Sequence, residues 1–178
     1  VKIESFAYLP EQEFGNAFSI FIAQNHGAKK DVRIRNGIGS ALKMITLYGV
    51  GVSIIIILLA KPLMGIFINP NETEILQIGM QYLFIVASFY TLIGYLFMFY
   101  GLFRGLGKPG MSIILTIISL GTRVVLAYTL SSVSSIGLQG IWWSIPIGWA
   151  FADIIGFYKI IRLKEKKMTI IFFLITKV

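Results

Sequence analysis

The sequence predicts an all-α, polytopic bundle of transmembrane helices, and three observations predict it. Of 178 residues, 56% are hydrophobic and only 13% charged. Four apolar runs reach the ~20 residues that a helix needs to cross a bilayer. Lysine and arginine collect in alternate connections between those runs, as they do on the cytoplasmic side of membrane proteins. An ordinary soluble domain carries about a quarter charged residues. At a mean hydropathy of +0.80 this chain has too little polar material to coat a globule, so membrane lipid is its first expected partner.

The four full spans are expected at 44–67, 76–103, 111–130 and 138–161. Ahead of them, 14–24 is apolar but short, and with the polar stretch 5–13 it makes a fifth, partly polar membrane helix over 5–25. Behind them, 168–176 is too brief to span and is expected at the interface or disordered. The chain therefore divides into a transmembrane unit, 1–167, and a short C-terminal tail, 168–178. Residues 1–10 contain Glu4 and no initiating Met, which reads as a cut through a longer protein rather than a secretory signal.

The connections assign the sides. Lys29, Lys30, Arg33, Arg35 and Lys43 precede the first full span, Arg104 and Lys108 lie between the second and third, and Arg162, Lys164, Lys166 and Lys167 follow the fourth. These are expected to be cytoplasmic in a multi-pass protein of the cell membrane. The connections 68–75 and 131–137 carry no Lys or Arg and face outward. Lys61, near the outer end of its span, can snorkel to the headgroups. The net charge of +8 follows from this topology, so no nucleic-acid partner is expected.

The last span shows how the helices pack. Gly140, Ser144, Gly148, Ala152 and Gly156 recur every fourth residue and form one stripe of small side chains, against which another helix should lie, since close approach replaces the hydrophobic drive that lipid removes. Pro146 in the same span removes a backbone donor and is expected to kink the helix.

Three segments together resemble the multidrug and toxic compound extrusion (MATE) family. The first, 17–28, ends in Gln24-Asn25-His26-Gly27-Ala28 before a basic stretch, and resembles a pattern at the cytoplasmic end of the second helix of a lobe. The second, Arg104-Gly105-Leu106-Gly107, is similar to the turn after the fourth helix, where glycines allow positive backbone dihedrals and Arg104 can meet phosphate headgroups. The third, from Arg123 to Tyr128 with Gly137 to Trp143, is similar to the last two helices of the C-terminal lobe. The resemblance runs from Lys2 to about Leu163. It implies one lobe of a two-lobe transporter, lacking most of its first helix, whose missing partner is the N-terminal lobe of the same protein. It implies, further, cation-coupled antiport of drugs or organic cations, with proton or sodium as coupling ion and no cofactor. In the sodium-coupled branch an acidic residue lies about three turns before the Arg-Gly turn, near Ile93 here. No carboxylate occurs from Ile75 to Leu106.

Candidate site residues follow from the cost of polarity in lipid. Asp153 is the only carboxylate well inside a full span, which makes it a coupling candidate by default; the alternative is an ion pair with Arg104 or Lys108. Arg123, within the third span, either tunes the charge of a cleft, tethers a neighbour's carbonyls or snorkels toward the outer face. Glu4, Glu11 and Glu13 are secondary candidates for proton coupling. Asn16 and Ser19, on one helical face, and Gln24 either contact substrate or bond to neighbouring helices. Tyr90 and Tyr95 lie deep enough to offer ring faces to an organic cation, whereas Tyr82 and Trp142 read as belt anchors.

No metal site is expected. The chain has no cysteine and one histidine, His26. It also has no paired nucleophile and base, no HExxH pattern and no Walker loop, so enzymatic chemistry is not expected. Two alternatives to drug efflux stay open: a lipid-linked oligosaccharide flippase of the same superfamily, and a membrane-anchoring subunit that transports nothing.

Overall fold

A computed structural model describes the backbone of residues 2–69, 71–133 and 136–175, with the side chains of the same residues apart from Lys2 and 163–175. Among the described residues every regular element is a helix: α1 (Lys2–Gly27), α2 (Asp31–Leu58), α3 (Ala60–Gly65), α4 (Thr73–Ala87), α5 (Tyr90–Gly105), α6 (Pro109–Ser131) and α7 (Leu138–Ile175). Three are long and apolar enough to cross a bilayer, α2, α6 and the 138–162 part of α7, and α4 with α5 forms a fourth, bent span. The segment 168–176, expected at the interface, lies outside the described side chains; its backbone is helical as far as Ile175.

Two of the expected spans are corrected. The run placed at 44–67 belongs to a helix that starts at Asp31 and stops at Leu58. Its basic first half is helical because Ile34, Ile38, Ala41 and Ile45 already supply the spacing of a buried face. Hydropathy alone marks only the part able to sit in lipid. The helix stops because Pro62 has no N–H to give the Leu58 carbonyl and its ring crowds that oxygen; α3 then restarts after Leu59. The run placed at 76–103 is broken between α4 and α5, which meet at 50°. There the Ser88 hydroxyl donates to the Phe84 carbonyl (2.6 Å), and Phe89 N–H turns to Val86 O (3.1 Å). A serine back-bond of this kind bends a helix without proline.

α5 is the central element and touches α1, α2, α6 and α7. Its contact with α1 is the most extensive in the bundle, and glycines make it so. A Cβ on Gly101 would strike the Gly15 carbonyl oxygen of α1, and one on Gly105 would stand 2.6 Å from the Ser19 carbonyl oxygen. The two backbones therefore touch directly. α1 turns Ile3, Ala7, Glu11, Gly15, Phe18 and Ile22 inward, three and four residues apart.

The small-residue stripe of α7 packs as its spacing predicts, against two partners. Gly148 lies on the Ser119 carbonyl and the Arg123 stem of α6, and Gly156 on the Phe99 ring of α5. Pro146 is buried inside α7. α6 buries only Leu115 and Ser119. Its outer face presents Ile113, Ile117, Val124, Val125 and Tyr128, the last 76% exposed. In water so large an apolar patch would drive association; in a bilayer it is the surface that meets the acyl chains.

Candidate functional site

Glu11 sits where α1, α2 and α5 meet. It is 3% exposed, and neither carboxylate oxygen has a hydrogen-bond partner. Gly94 makes room for it: a Cβ there would stand 2.6 Å from Glu11 Oε1 and 2.6 Å from a methyl of Ile45. The carboxylate borders a cavity of about 150 Å³ lined by Pro10, Phe14, Met44, Ile45 and Tyr48. A second, open cleft of about 550 Å³ runs on between α1 and α2. It shares Phe14 and Met44 with the first and reaches Arg33. A carboxylate without partners in so apolar a place carries a large desolvation cost, which marks a group kept for function.

Above Glu11, toward the start of α1, lie three more polar groups. Glu4 is two helical turns away on the same face and accepts a hydrogen bond from the Tyr82 hydroxyl of α4 at 2.5 Å. Tyr82 also meets Trp142 of α7 edge to face, ring centroids 5.9 Å apart. Both were expected to be belt anchors; Tyr82 is instead half-buried inside the bundle. Tyr90, at the start of α5, is 2% exposed and its hydroxyl has no hydrogen-bond partner. It stands within electrostatic reach of Glu4, Tyr82 and Glu11. Its burial closes both ring faces, so the expected stacking with a substrate has no room here. Tyr95 is half-buried, with its hydroxyl 2.6 Å from that of Thr46 and its ring edge-on to Phe157.

Asp153 lies on the other side of α5, also 3% exposed and also without a hydrogen-bond partner on either oxygen. The alternative ion pair with Arg104 or Lys108 is not formed. Arg104 instead gives Nη2 to Asn16 Oδ1 (2.9 Å) and Nε to the Tyr100 carbonyl (3.2 Å). Asp153 is within electrostatic reach of Tyr100, whose hydroxyl accepts from Thr116 at 3.1 Å. Arg123 packs its stem on Gly148 and places its charge within reach of Tyr82. The structure thus separates the two first-ranked candidates, Asp153 and Arg123, and brings neither to the cavity beside Glu11.

The motif residues build turns and contacts. Asn25 is buried and donates from Nδ2 to the Phe21 carbonyl (2.7 Å), Ala28 N–H closes on Gln24 O (3.1 Å), and the Gln24 side chain is exposed. The left-handed position of this turn falls on Lys29 (φ 56°), not on Gly27. In the second motif the glycines divide the labour: Gly107 takes the positive φ of 70°, and Gly105 lets α1 approach. Ser19 contributes its backbone to that contact. Asn16, Arg104, Tyr100, Ser112 and Thr116 line one part of a pocket of about 340 Å³ whose remaining wall includes Phe97, Ile113 and Ile117. Among the described residues no three His, Asp or Glu side chains converge to hold a metal ion.

A protein-family model described as MatE matches residues 1–129. The chain belongs to the MatE family. Within it, one relative is the "Probable multidrug resistance protein YoeA" of Bacillus subtilis (strain 168), 25% identical over 171 residues, covering 94% of this chain and 36% of that protein. Among solved structures, an inward-facing multidrug resistance MATE family transporter of the MOP superfamily superposes with a TM-score of 0.85 at 24% identity, covering 94% of this chain and 39% of the other. A MATE crystal structure in a bent conformation gives 0.84 at 25% identity, with 94% and 37% covered. An outward-facing MATE transporter gives 0.84 at 24% identity, with 93% and 37% covered. The chain thus spans less than two fifths of the MatE relatives it matches, and is an integral membrane segment of that family.

The sequence reading placed Glu11 behind Asp153 and Arg123 as a candidate. The signal was present: Ile3, Ala7, Gly15, Phe18 and Ile22 mark one face of α1, and Glu11 falls in the middle of it.

Proposed function

We propose that the two-lobe protein to which this segment belongs is a secondary antiporter that moves drugs or organic cations out of the cell, with Glu11 as a coupling group for protons. The observation that carries this reading is the Glu11 carboxylate, buried and unpartnered beside a cavity at a three-helix junction. Such a group binds a proton when sealed and releases it when water enters, which ties its charge to the state of the bundle. Its surroundings favour a proton over sodium. The 150 Å³ cavity offers the carboxylate and the Tyr48 hydroxyl among apolar walls, and that hydroxyl already donates to the Ala7 carbonyl (3.3 Å), so the oxygen cage a metal ion needs is thin. The family supplies the substrate class, since the named relatives are multidrug resistance proteins. The open cleft lined by Phe14, Phe18, Phe21 and Met44 offers the aromatic and thioether faces that bind flat cations.

The test is ethidium accumulation in cells lacking their own efflux pumps, with the full-length parent protein expressed and the proton or sodium gradient collapsed in turn. Exclusion that fails with the proton gradient, and in Glu11→Gln, supports the reading. Exclusion that depends on sodium alone overturns the choice of ion. Unchanged accumulation despite confirmed membrane expression moves the weight to an oligosaccharide flippase or an anchoring subunit.

A further inference from the structure

Glu11 is only 3% exposed, so a proton that binds there needs a way in. Four oxygen-bearing side chains, Glu4, Tyr82, Tyr90 and Glu11, lie between the start of α1 and its middle. Glu4 and Glu11 stand on one face of α1, seven residues and about 10.5 Å apart along the axis. Tyr82 from α4 already bonds to Glu4. Tyr90 from α5 has a hydroxyl with no partner and lies within electrostatic reach of Glu4, Tyr82 and Glu11. A buried phenol with an unused proton and a buried carboxylate with unused lone pairs are each expensive. No packing requirement explains it, because phenylalanine would fill the same space without the cost.

We propose that Tyr82 and Tyr90 are a proton relay joining Glu4, at the end of the bundle opposite the basic turns, to Glu11 in its interior. The proposal rests on Glu11 being the coupling group. A proton arriving from water binds the Glu4 carboxylate, and the Tyr82 hydroxyl, which had donated to that carboxylate, turns to accept. As the Tyr82 oxygen takes the proton, its own O–H proton passes to Tyr90 over a bridging water, and the Tyr90 proton passes to a Glu11 oxygen over another. One proton has then moved from water to Glu11, both phenols are neutral again, Glu4 has regained its charge, and only Glu11 has lost its own. The charged and titratable groups facing these four side chains are Tyr48 of α2, within reach of Glu11, and Arg123 of α6, within reach of Tyr82.

The test uses the full-length parent protein in proteoliposomes, with a pH-sensitive dye in the lumen and ethidium as substrate. Tyr90→Phe and Tyr82→Phe each delete one hydroxyl and keep the ring. Each is expected to slow proton-driven turnover about tenfold, an extra barrier of one decade, with the half-saturating ethidium concentration and the thermal unfolding midpoint unchanged. Glu11→Gln is expected to abolish coupled proton movement. If Glu11→Gln abolishes coupling but both tyrosine variants move protons at the wild-type rate, the relay is wrong and Glu11 keeps its role. If Glu11→Gln still couples, the role of Glu11 falls and the relay with it. A tyrosine variant that loses turnover only together with its unfolding midpoint indicates a packing role and overturns the relay.

Discussion

Glu11 and Asp153 are buried to the same extent, 3% exposed, on opposite sides of α5, and both lack hydrogen-bond partners. Their surroundings differ. Glu11 borders a cavity and has tyrosines and a second carboxylate in line above it. Asp153 lines none of the three cavities described above and has one nearby phenol, Tyr100, whose hydroxyl is already engaged by Thr116. Depth in the membrane does not by itself select a functional carboxylate. What separates the two is the cavity beside Glu11 and the tyrosines within reach of it.

The sharpest way to break this comparison is to neutralise each carboxylate in turn. Glu11→Gln is expected to reduce gradient-dependent ethidium exclusion to the level of cells without the transporter, and Asp153→Asn to keep most of it, both at equal membrane abundance. The reverse order would make Asp153 the coupling group.

Gly94→Ala and Gly148→Ala carry the contrast into the packing. The new methyl at 94 meets only movable atoms, Glu11 Oε1 and an Ile45 methyl. It should impair transport by displacing the carboxylate and leave the unfolding midpoint nearly unchanged. The methyl at 148 meets the Ser119 backbone oxygen at 2.6 Å, which cannot yield without parting α6 from α7. An overpacking cost of about 1–3 kcal/mol is expected, read as a lower midpoint in detergent.

The smallest expected effect lies far from both carboxylates. Lys29 holds a left-handed φ of 56°, so Lys29→Gly should relieve about 1 kcal/mol of backbone strain and raise the midpoint, leaving ethidium exclusion as it was.

Much of the fold is legible in the sequence because lipid makes hydropathy decisive. Helix type, the positions of α6 and the start of α7, and the packing stripe all follow from apolar length and small-residue spacing. The breaks were not legible by that route. Hydropathy averages over a window, so the consequence of Pro62 for the Leu58 carbonyl and of Ser88 for the Phe84 carbonyl disappears into an apolar run. The candidate site was half legible for a related reason. Ranking carboxylates by distance from the nearest connection favoured Asp153, and only the periodicity of α1 shows that Glu11 points inward. Tyr90 is buried; which face of α5 meets α1, and so which of its side chains turn toward Glu11, is set by Gly94, Gly101 and Gly105.

The direct backbone contact between α1 and α5 also has an evolutionary consequence. Positions 15, 94, 101 and 105 accept no side chain without a neighbour giving way, whereas the lipid-facing side of α6 needs only to stay greasy. Descendants of this sequence are therefore expected to drift most freely over one surface of the bundle, among Ile, Val, Leu and Phe, and least at these four glycines.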